Sequence, residues 1–217
     1  MPRLVLASAS PARSATLRSA GVEPLVRVSS VDEDARLAEA AERLGPLEPA
    51  DAVLVLAHAK ALDVAAAWQV ADEEDDDVLV IGCDSMLEID GEILGKPHDA
   101  ATATARWQQM RGRSATLHTG HWLIDLRDTD DDGTGATIGA TSSTVVHFAD
   151  VSDHEIDAYV ATGEPLHVAG AFTIDGLGGP FVTGVEGDHH GVTGLSLPLV
   201  RELLGEVDVT FPDLWNR

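Results

Sequence analysis

Asp84 closes an apolar run over residues 78–83, and Lys96 follows inside "GKP", between Gly95 and Pro97. A carboxylate at the C-terminal end of a central strand lies where open α/β sheets bind ligands. It can hold a divalent metal or accept a proton from water. Asp also opens turns, and a hairpin signal follows Asp84, so a purely structural role stands beside the chemical one. Lys96 has less structural reason to be where it is. Gly95 allows a close backbone approach and Pro97 restricts Lys96 itself, so the tripeptide fixes a cation in a rigid, non-helical turn.

The only other lysine, Lys60, lies in the apolar stretch "AVLVLAHAKALDVAAAW". It stands three residues before Asp63, where a helical ion pair or a snorkelling stem is the plain alternative to a ligand contact. Ammonium groups are compact charges suited to phosphate oxygens. Near the N-terminus, "LASASPAR" ends an apolar run in Ser8-x-Ser10 before a helical pattern. Such a turn directs amides and hydroxyls at a helix N-terminus, a natural anion site, and Arg13 adds a charged fork. Glu33, between Asp32 and Asp34, is a further possible metal ligand in an acidic loop, although loop acids are usually only solvated. If both lysines point toward Asp84 and Arg13, the site can hold a metal polyphosphate within an otherwise repulsive surface.

Other motifs are silent. His118 and His121 are three apart on a predicted strand and face opposite sides, so they make no metal pair. His189 and His190 are adjacent in a glycine-rich loop, and a surface or core role is expected for all nine histidines. There is no Ser-His-Asp order, no GxxxxGK[ST] phosphate loop and no dinucleotide fingerprint. The four tryptophans are scattered and read as packing residues.

The elements that must position these residues follow from periodicity. "RLVLAS" reads as a buried strand, "PARSATLRSAG" as a helix closed by Gly21, and "EPLVRV" as a second strand. Residues 29–50 form an acidic loop carrying a short helix, after which Pro49 starts a long helix to about Val70. "ADEEDDD" is a solvated connection. Residues 78–83 form a central strand and "MLEIDGEIL" a hairpin turning at Asp90-Gly91. Asp99 caps a helix over "AATATARWQQM". "ATLHTGHWLID" and "TIGATSSTVVHF" form a second hairpin joined by "LRDTDDDGTG", whose "DTDDDGTG" insert is a solvent-exposed loop. Ser152 and Glu155 make a capping box for a helix that Gly163 closes. A glycine-rich segment from 170 to 194 precedes a last helix, "LSLPLVRELLG". Strand-helix alternation followed by hairpins predicts an α/β fold with a mixed sheet, and no linker divides residues 1–217 into separate domains.

Bulk composition excludes several classes. A formal charge of −23 opposes nucleic-acid binding, which needs clustered Lys and Arg, so any anionic ligand needs a local positive site or a bridging metal. No apolar stretch is long enough to span a bilayer, and no signal segment is recognisable. Cys83 is the only cysteine, which excludes an intrachain disulfide and cysteine-rich zinc patterns and fits a reducing, cytoplasmic setting.

"LASASPARSATLRSAGV", "VDEDA", "AKA" around Lys60, "VIGCDSMLEIDGEILGKPHDAATA", "HTGHWLI", "SDHEIDAYVATGEPLHVAGAFTIDGLGGPFV" and "EGDHHGVTGLSLPLV" occur in one order along nearly the whole chain. In that order they resemble the Maf family, nucleoside triphosphate pyrophosphatases named for an inhibitory effect on septum formation. The resemblance implies an elongated α/β fold with a central cleft, similar to inosine triphosphate pyrophosphatases, and frequent homodimers. It implies cleavage of a nucleoside triphosphate between its α and β phosphates with Mg²⁺ or Mn²⁺, in a house-cleaning role. Carried over by position, Asp84 is the proton acceptor and also touches metal, and Glu33 is a metal ligand. Ser8, Ser10, Arg13, Lys60 and Lys96 hold the polyphosphate. The chain departs from the family at Ala12, where a second arginine is usual, at Ser85, where threonine is common, at Asp175, in place of glutamine or glutamate, and at Ala115, often histidine. These positions bear on base choice. Because of Ala12, Asp175 and Ala115, a catalytically silent nucleotide-binding or cell-division regulatory protein is the alternative.

Overall fold

The computed structural model describes residues 2–70, 77–128, 130 and 132–216. It is built on one sheet. Strand β1 (Arg3–Ala7) lies parallel to β2 (Leu25–Val26) on one side and to β3 (Val78–Ile89) on the other. Beyond β3 each strand is antiparallel to the one before it, through β5 (Ser114–Asp125), β6 (Thr137–Phe148) and β7 (Val182–Glu186), giving the order β2-β1-β3-β5-β6-β7, while β4 (Glu92–Leu94) pairs with β3 off this path. The predicted mixed α/β sheet is therefore found.

Both faces of β1 are covered, which is why it reads as an unbroken apolar run. Leu4 and Leu6 pack with Ile81, Leu123 and Leu203, the last from helix α7 (Leu197–Gly205). Val5 and Ala7 face the other way, against Ala61, Val64 and Trp68 of α3 (Pro49–Val70). The far half of the sheet carries a separate cluster in which Leu87 and Leu117 meet Trp107 of α4 (Ala100–Met110) and Tyr159 of α5 (Asp153–Ala161).

Helix α3 does more than cover the sheet. A Cβ at Gly82 would lie 2.2 Å from the Ala57 carbonyl oxygen, and one at Gly120 would lie 2.3 Å from that of Val53. The helix backbone thus rests directly on β3 and β5, where no side chain fits. Lys60, one turn beyond Ala57, is thereby aimed at Asp84, which shares the face of β3 with Gly82.

Several local expectations hold closely. The Asp90-Gly91 turn has positive φ at both residues, 54° and 80°. Asp99 accepts from the Thr102 amide at the start of α4, and the Ser152–Glu155 capping box is complete. Others need correction. The central strand does not end before Asp84, because β5 pairs with β3 from Leu79 to Glu88 and carries the ladder onward. The short helix expected within the acidic loop over 29–50 extends to 12 residues, α2 (Glu33–Leu44), with Asp32 accepting from the Ala35 amide as its cap. Leu37 is half-buried and Ala40 buried, three residues apart on one face, while most of the helix faces solvent. The predicted strand over 23–28 shrinks to the two residues of β2. Strand β7 and the one-turn helix α6 (His189–Val192) both lie inside the stretch expected to be glycine-rich loop. Of "ADEEDDD", residues 71–76 lie outside the described residues, as do 129 and 131 of "DTDDDGTG"; Asp128, Asp130 and Asp132 of that loop are exposed.

His121 joins two layers. Its Nδ1 lies 3.0 Å from the Thr119 carbonyl oxygen, and its Nε2 accepts from the Ser196 amide, 2.8 Å away, at the start of α7. The ring is therefore neutral with the proton on Nδ1. Burial, helped by the Arg13 charge, pushes this imidazole down from 6.5 to about 4. A depressed histidine contributes stability that is complete above pH 6.5 and is lost as the pH falls toward 4. Asp125 acts lower on the scale. Burial opposes its charge, but Arg127 and the Thr134 donors outweigh burial and hold it at about 2. We therefore expect the urea midpoint to fall in two acid windows, and the upper one to shrink in His121→Gln, with His58, whose imidazole burial also lowers, accounting for the remainder. A flat midpoint between pH 6.5 and 4 in the parent protein would contradict this reading of His121.

Candidate active site

The site begins as a gap in the sheet. Along one edge of β3, β1 pairs from Val78 to Gly82 and β4 from Leu87 to Ile89, so residues 83–86 have no strand beside them there. Asp84 sits in that gap with only 8% of its surface exposed. Beyond β1 the chain turns away at Ser8, whose Oγ accepts from the Ser10 amide at 3.2 Å. Ser10 then caps α1 (Pro11–Ser19), accepting from the Arg13 amide, with Pro11 in the first turn.

Arg13 bolts the gap together. Its Nε donates to the Gly194 carbonyl at 2.7 Å, Nη1 donates to Ser8 Oγ at 2.9 Å and the Cys83 carbonyl at 2.8 Å, and Nη2 donates to Ser85 Oγ at 3.1 Å. All three guanidinium nitrogens are thus engaged with protein, and the side chain is a buried clamp with its charge at the cavity wall rather than an open fork. Ser8 and Ser10 are likewise engaged, one with the clamp and one with the helix cap.

Lys60 joins the two predicted metal-ligating carboxylates. Its Nζ donates to Asp84 Oδ1 at 2.6 Å and lies 2.7 Å from Glu33 Oε1. The helical alternative for Lys60 does not form, since Asp63 instead accepts from the Ser30 amide at 2.7 Å. Glu33 reaches the site as the first residue of α2, not from a loop. Burial raises the Asp84 carboxyl above its ordinary value, against the lowering influence of Lys60 and Arg13. Burial also opposes the charge of Glu33, but Lys60, Lys96 and Arg13 together prevail and hold its carboxyl low.

Lys96 comes from the turn between β4 and α4. It is exposed, lines the cavity, and has no hydrogen-bond or ion-pair partner among the described residues. Its turn is held from behind: Arg106 and the Gly170 amide both donate to the Gly95 carbonyl, and the His98 amide donates to Leu166. The cavity measures about 450 Å³, and its lining includes Ser8, Ser10, Arg13, Glu33, Lys60, Asp84 and Lys96. A gap of four residues thus gathers two carboxylates, two lysines and an arginine from five elements and turns.

A family model described as Maf-like protein matches residues 3–207. The chain belongs to the Maf family. Similar curated proteins, each called nucleoside triphosphate pyrophosphatase, agree along almost their whole length. The one from Salinispora tropica is 54% identical over 215 residues, which are 99% of this chain and 88% of that protein. Those from Streptomyces avermitilis and Nocardia farcinica are also 54% identical, over 214 and 216 residues, covering 99% and 98% of this chain and 95% and 96% of theirs.

In this Maf chain the positions expected to bear on base choice divide. Ala12, Ser85 and Asp175 line the cavity. Ala115 does not: it is 4% exposed within the apolar cluster around Trp107, because its side of β5 faces α4. Sequence reasoning missed a whole wall of the cavity, formed by His167 to Ala169 and Phe172 to Ile174. Its only signal was the run of small residues around Gly170. The Asp188, His189 and His190 side chains converge on one another, but Asp188 is already the cap of α6, accepting from the His190 and Gly191 amides.

Proposed function

We propose that this protein hydrolyses nucleoside triphosphates between the α and β phosphates, releasing a nucleoside monophosphate and pyrophosphate. The observation that carries the reading is the Asp84–Lys60–Glu33 linkage in a cavity that Lys96 also lines, with no hydrogen-bond or ion-pair partner for Lys96 among the described residues. The names of relatives half identical over their full length support it.

Water attacks the α phosphorus, the bond to the bridging oxygen breaks, and pyrophosphate leaves. Asp84 takes the proton from that water, and its raised carboxyl makes it a better acceptor than an ordinary aspartate. Lys60 fixes the orientation of the Asp84 carboxylate. Lys96 meets the negative charge that builds on the phosphates, with the Arg13 charge behind the wall. Glu33 and Asp84 would hold a divalent cation. The fit is good, because two hard oxygen donors already converge on one cationic nitrogen. When bound, Mg²⁺ or Mn²⁺ neutralises phosphate oxygens.

Strands from Arg3 to Glu186 form one sheet, which favours a single domain over residues 1–217 with two lobes around a cleft. Among the described residues no helix is long and apolar enough to cross a membrane. With a net charge of −23 that opposes nucleic acid, this supports a cytoplasmic house-cleaning enzyme acting on free nucleotides. A homodimer belongs to the same reading and is checked by sedimentation.

The deciding experiment is pyrophosphate release from common, methylated and oxidised nucleoside triphosphates with Mg²⁺ and with Mn²⁺. Turnover of one or a few supports the enzyme. No release by folded protein that still binds nucleotide would transfer the reading to the silent binding protein. Within the same assay, Lys96→Ala should raise KM and lower kcat/KM by about tenfold to a hundredfold, the range for losing a hydrogen bond to a charged group. An unchanged kcat/KM would remove Lys96 from the phosphate site.

A further inference from the structure

The glycine-rich loop on the cavity wall is tied to one carboxylate outside the cavity. Gly163, with φ of 79°, ends α5 and turns the chain so that Glu164 points back beneath the loop over 173–178. Glu164 Oε1 accepts from the Tyr159 hydroxyl at 2.9 Å, from the Thr173 hydroxyl at 2.5 Å and from the Gly178 amide at 3.1 Å. Oε2 accepts from the Leu177 amide at 3.0 Å. The Tyr159 hydroxyl in turn accepts from the Thr173 amide at 3.2 Å. Both ends of the loop are therefore anchored on one side chain, and its apex is Asp175, exposed on the cavity rim with no partner among the described residues.

The glycines of "DGLGG" point the same way independently. A Cβ at Gly176 would come within 2.7 Å of Glu164 Oε2, and one at Gly178 within 2.6 Å of the Tyr159 hydroxyl. Their absence of side chains lets the loop close onto this anchor. The anchor is itself rigid, since Tyr159 packs edge-on against Trp107 and Phe181. Burial opposes the charge of Glu164, yet the donors around it prevail and its carboxyl lies below the ordinary value, so it is ionised at neutral pH.

We propose that Glu164 is a positioning residue for nucleobase selectivity: it holds Thr173, Ile174 and Asp175, a lining segment with no lysine or arginine that is left for the base once Arg13, Lys60 and Lys96 face the phosphates, without touching substrate itself. This rests on the pyrophosphatase reading above. Glu164 does not line the cavity, so it acts only through the loop.

The test compares the parent protein with Glu164→Ala, Glu164→Gln and Gly176→Ala, taking kcat and KM for purine and pyrimidine triphosphates and inhibition by inorganic tripolyphosphate, which has no base. In Glu164→Ala and Gly176→Ala, KM for the preferred nucleotide should rise about tenfold and the preference between bases should shrink by a similar factor, with kcat within about threefold. Tripolyphosphate inhibition should not change. Glu164→Gln keeps one acceptor oxygen and should fall between the parent and the alanine variant. An unchanged preference in folded Gly176→Ala and Glu164→Gln overturns the proposal, and so does tripolyphosphate inhibition that weakens in step with KM. If the parent releases no pyrophosphate from any nucleotide, the pyrophosphatase reading fails by itself. The role of Glu164 is then read from thermal shifts with nucleoside monophosphates against tripolyphosphate, under the same two criteria.

Discussion

Asp84→Asn should lower pyrophosphate release by about a thousandfold or more, within the range lost when a positioned general base is removed. The substitution keeps the shape of the side chain and an oxygen for Lys60, which retains Glu33 as its second partner at 2.7 Å. The fold should therefore survive, and thermal unfolding should move little. What is lost is a charged acceptor that lines the cavity in the gap of β3. The check is a single-turnover assay at saturating nucleotide. Retention of more than a tenth of the parent rate would show that Asp84 does not take the proton. A loss seen only in KM would assign it to binding instead.

Lys60→Ala should combine a comparable loss of rate with a loss of stability. Lys60 and Asp84 are 9% and 8% exposed, so the alanine leaves a buried carboxylate without its direct partner. Removing one member of such a pair destabilises by about 3 kcal/mol. Combining Lys60→Ala with Asp84→Asn removes the orphaned charge and should recover most of that stability without recovering activity. Urea unfolding of both single variants and the double variant gives the coupling directly. Additive losses of stability would mean that Lys60 is bound to Glu33 alone in solution. The contrast separates a lysine needed to hold the fold from one needed to orient the base.

Much of the frame was legible from the chain because its signals are local. Asp90-Gly91, Asp99 and the Ser152–Glu155 box specify a turn and two helix starts within a few residues each, and buried strands such as β1 announce themselves as continuous apolar runs. Lys96 was conspicuous for the same reason, since glycine and proline on either side leave a lysine few structural uses. Helix α2 was legible as a short helix but not in its full length, because Ala40 is its one buried residue and apolar contacts mark few of its turns.

Residue types and order by themselves determined the family, the chemistry on offer and the identity of the charged groups. The tertiary structure alone decided how those groups are used. Nothing near Lys60 says that it will ignore Asp63 for Asp84, 24 residues on; that choice follows from Gly82 letting α3 rest on β3. Nothing near Arg13 says that its donors will be consumed at Ser8, Cys83, Ser85 and Gly194. That depends on where β1 stops and β4 begins along an edge of β3. Strand length on a shared edge is set by pairing between distant segments, and a gap in such an edge belongs to no single stretch of sequence.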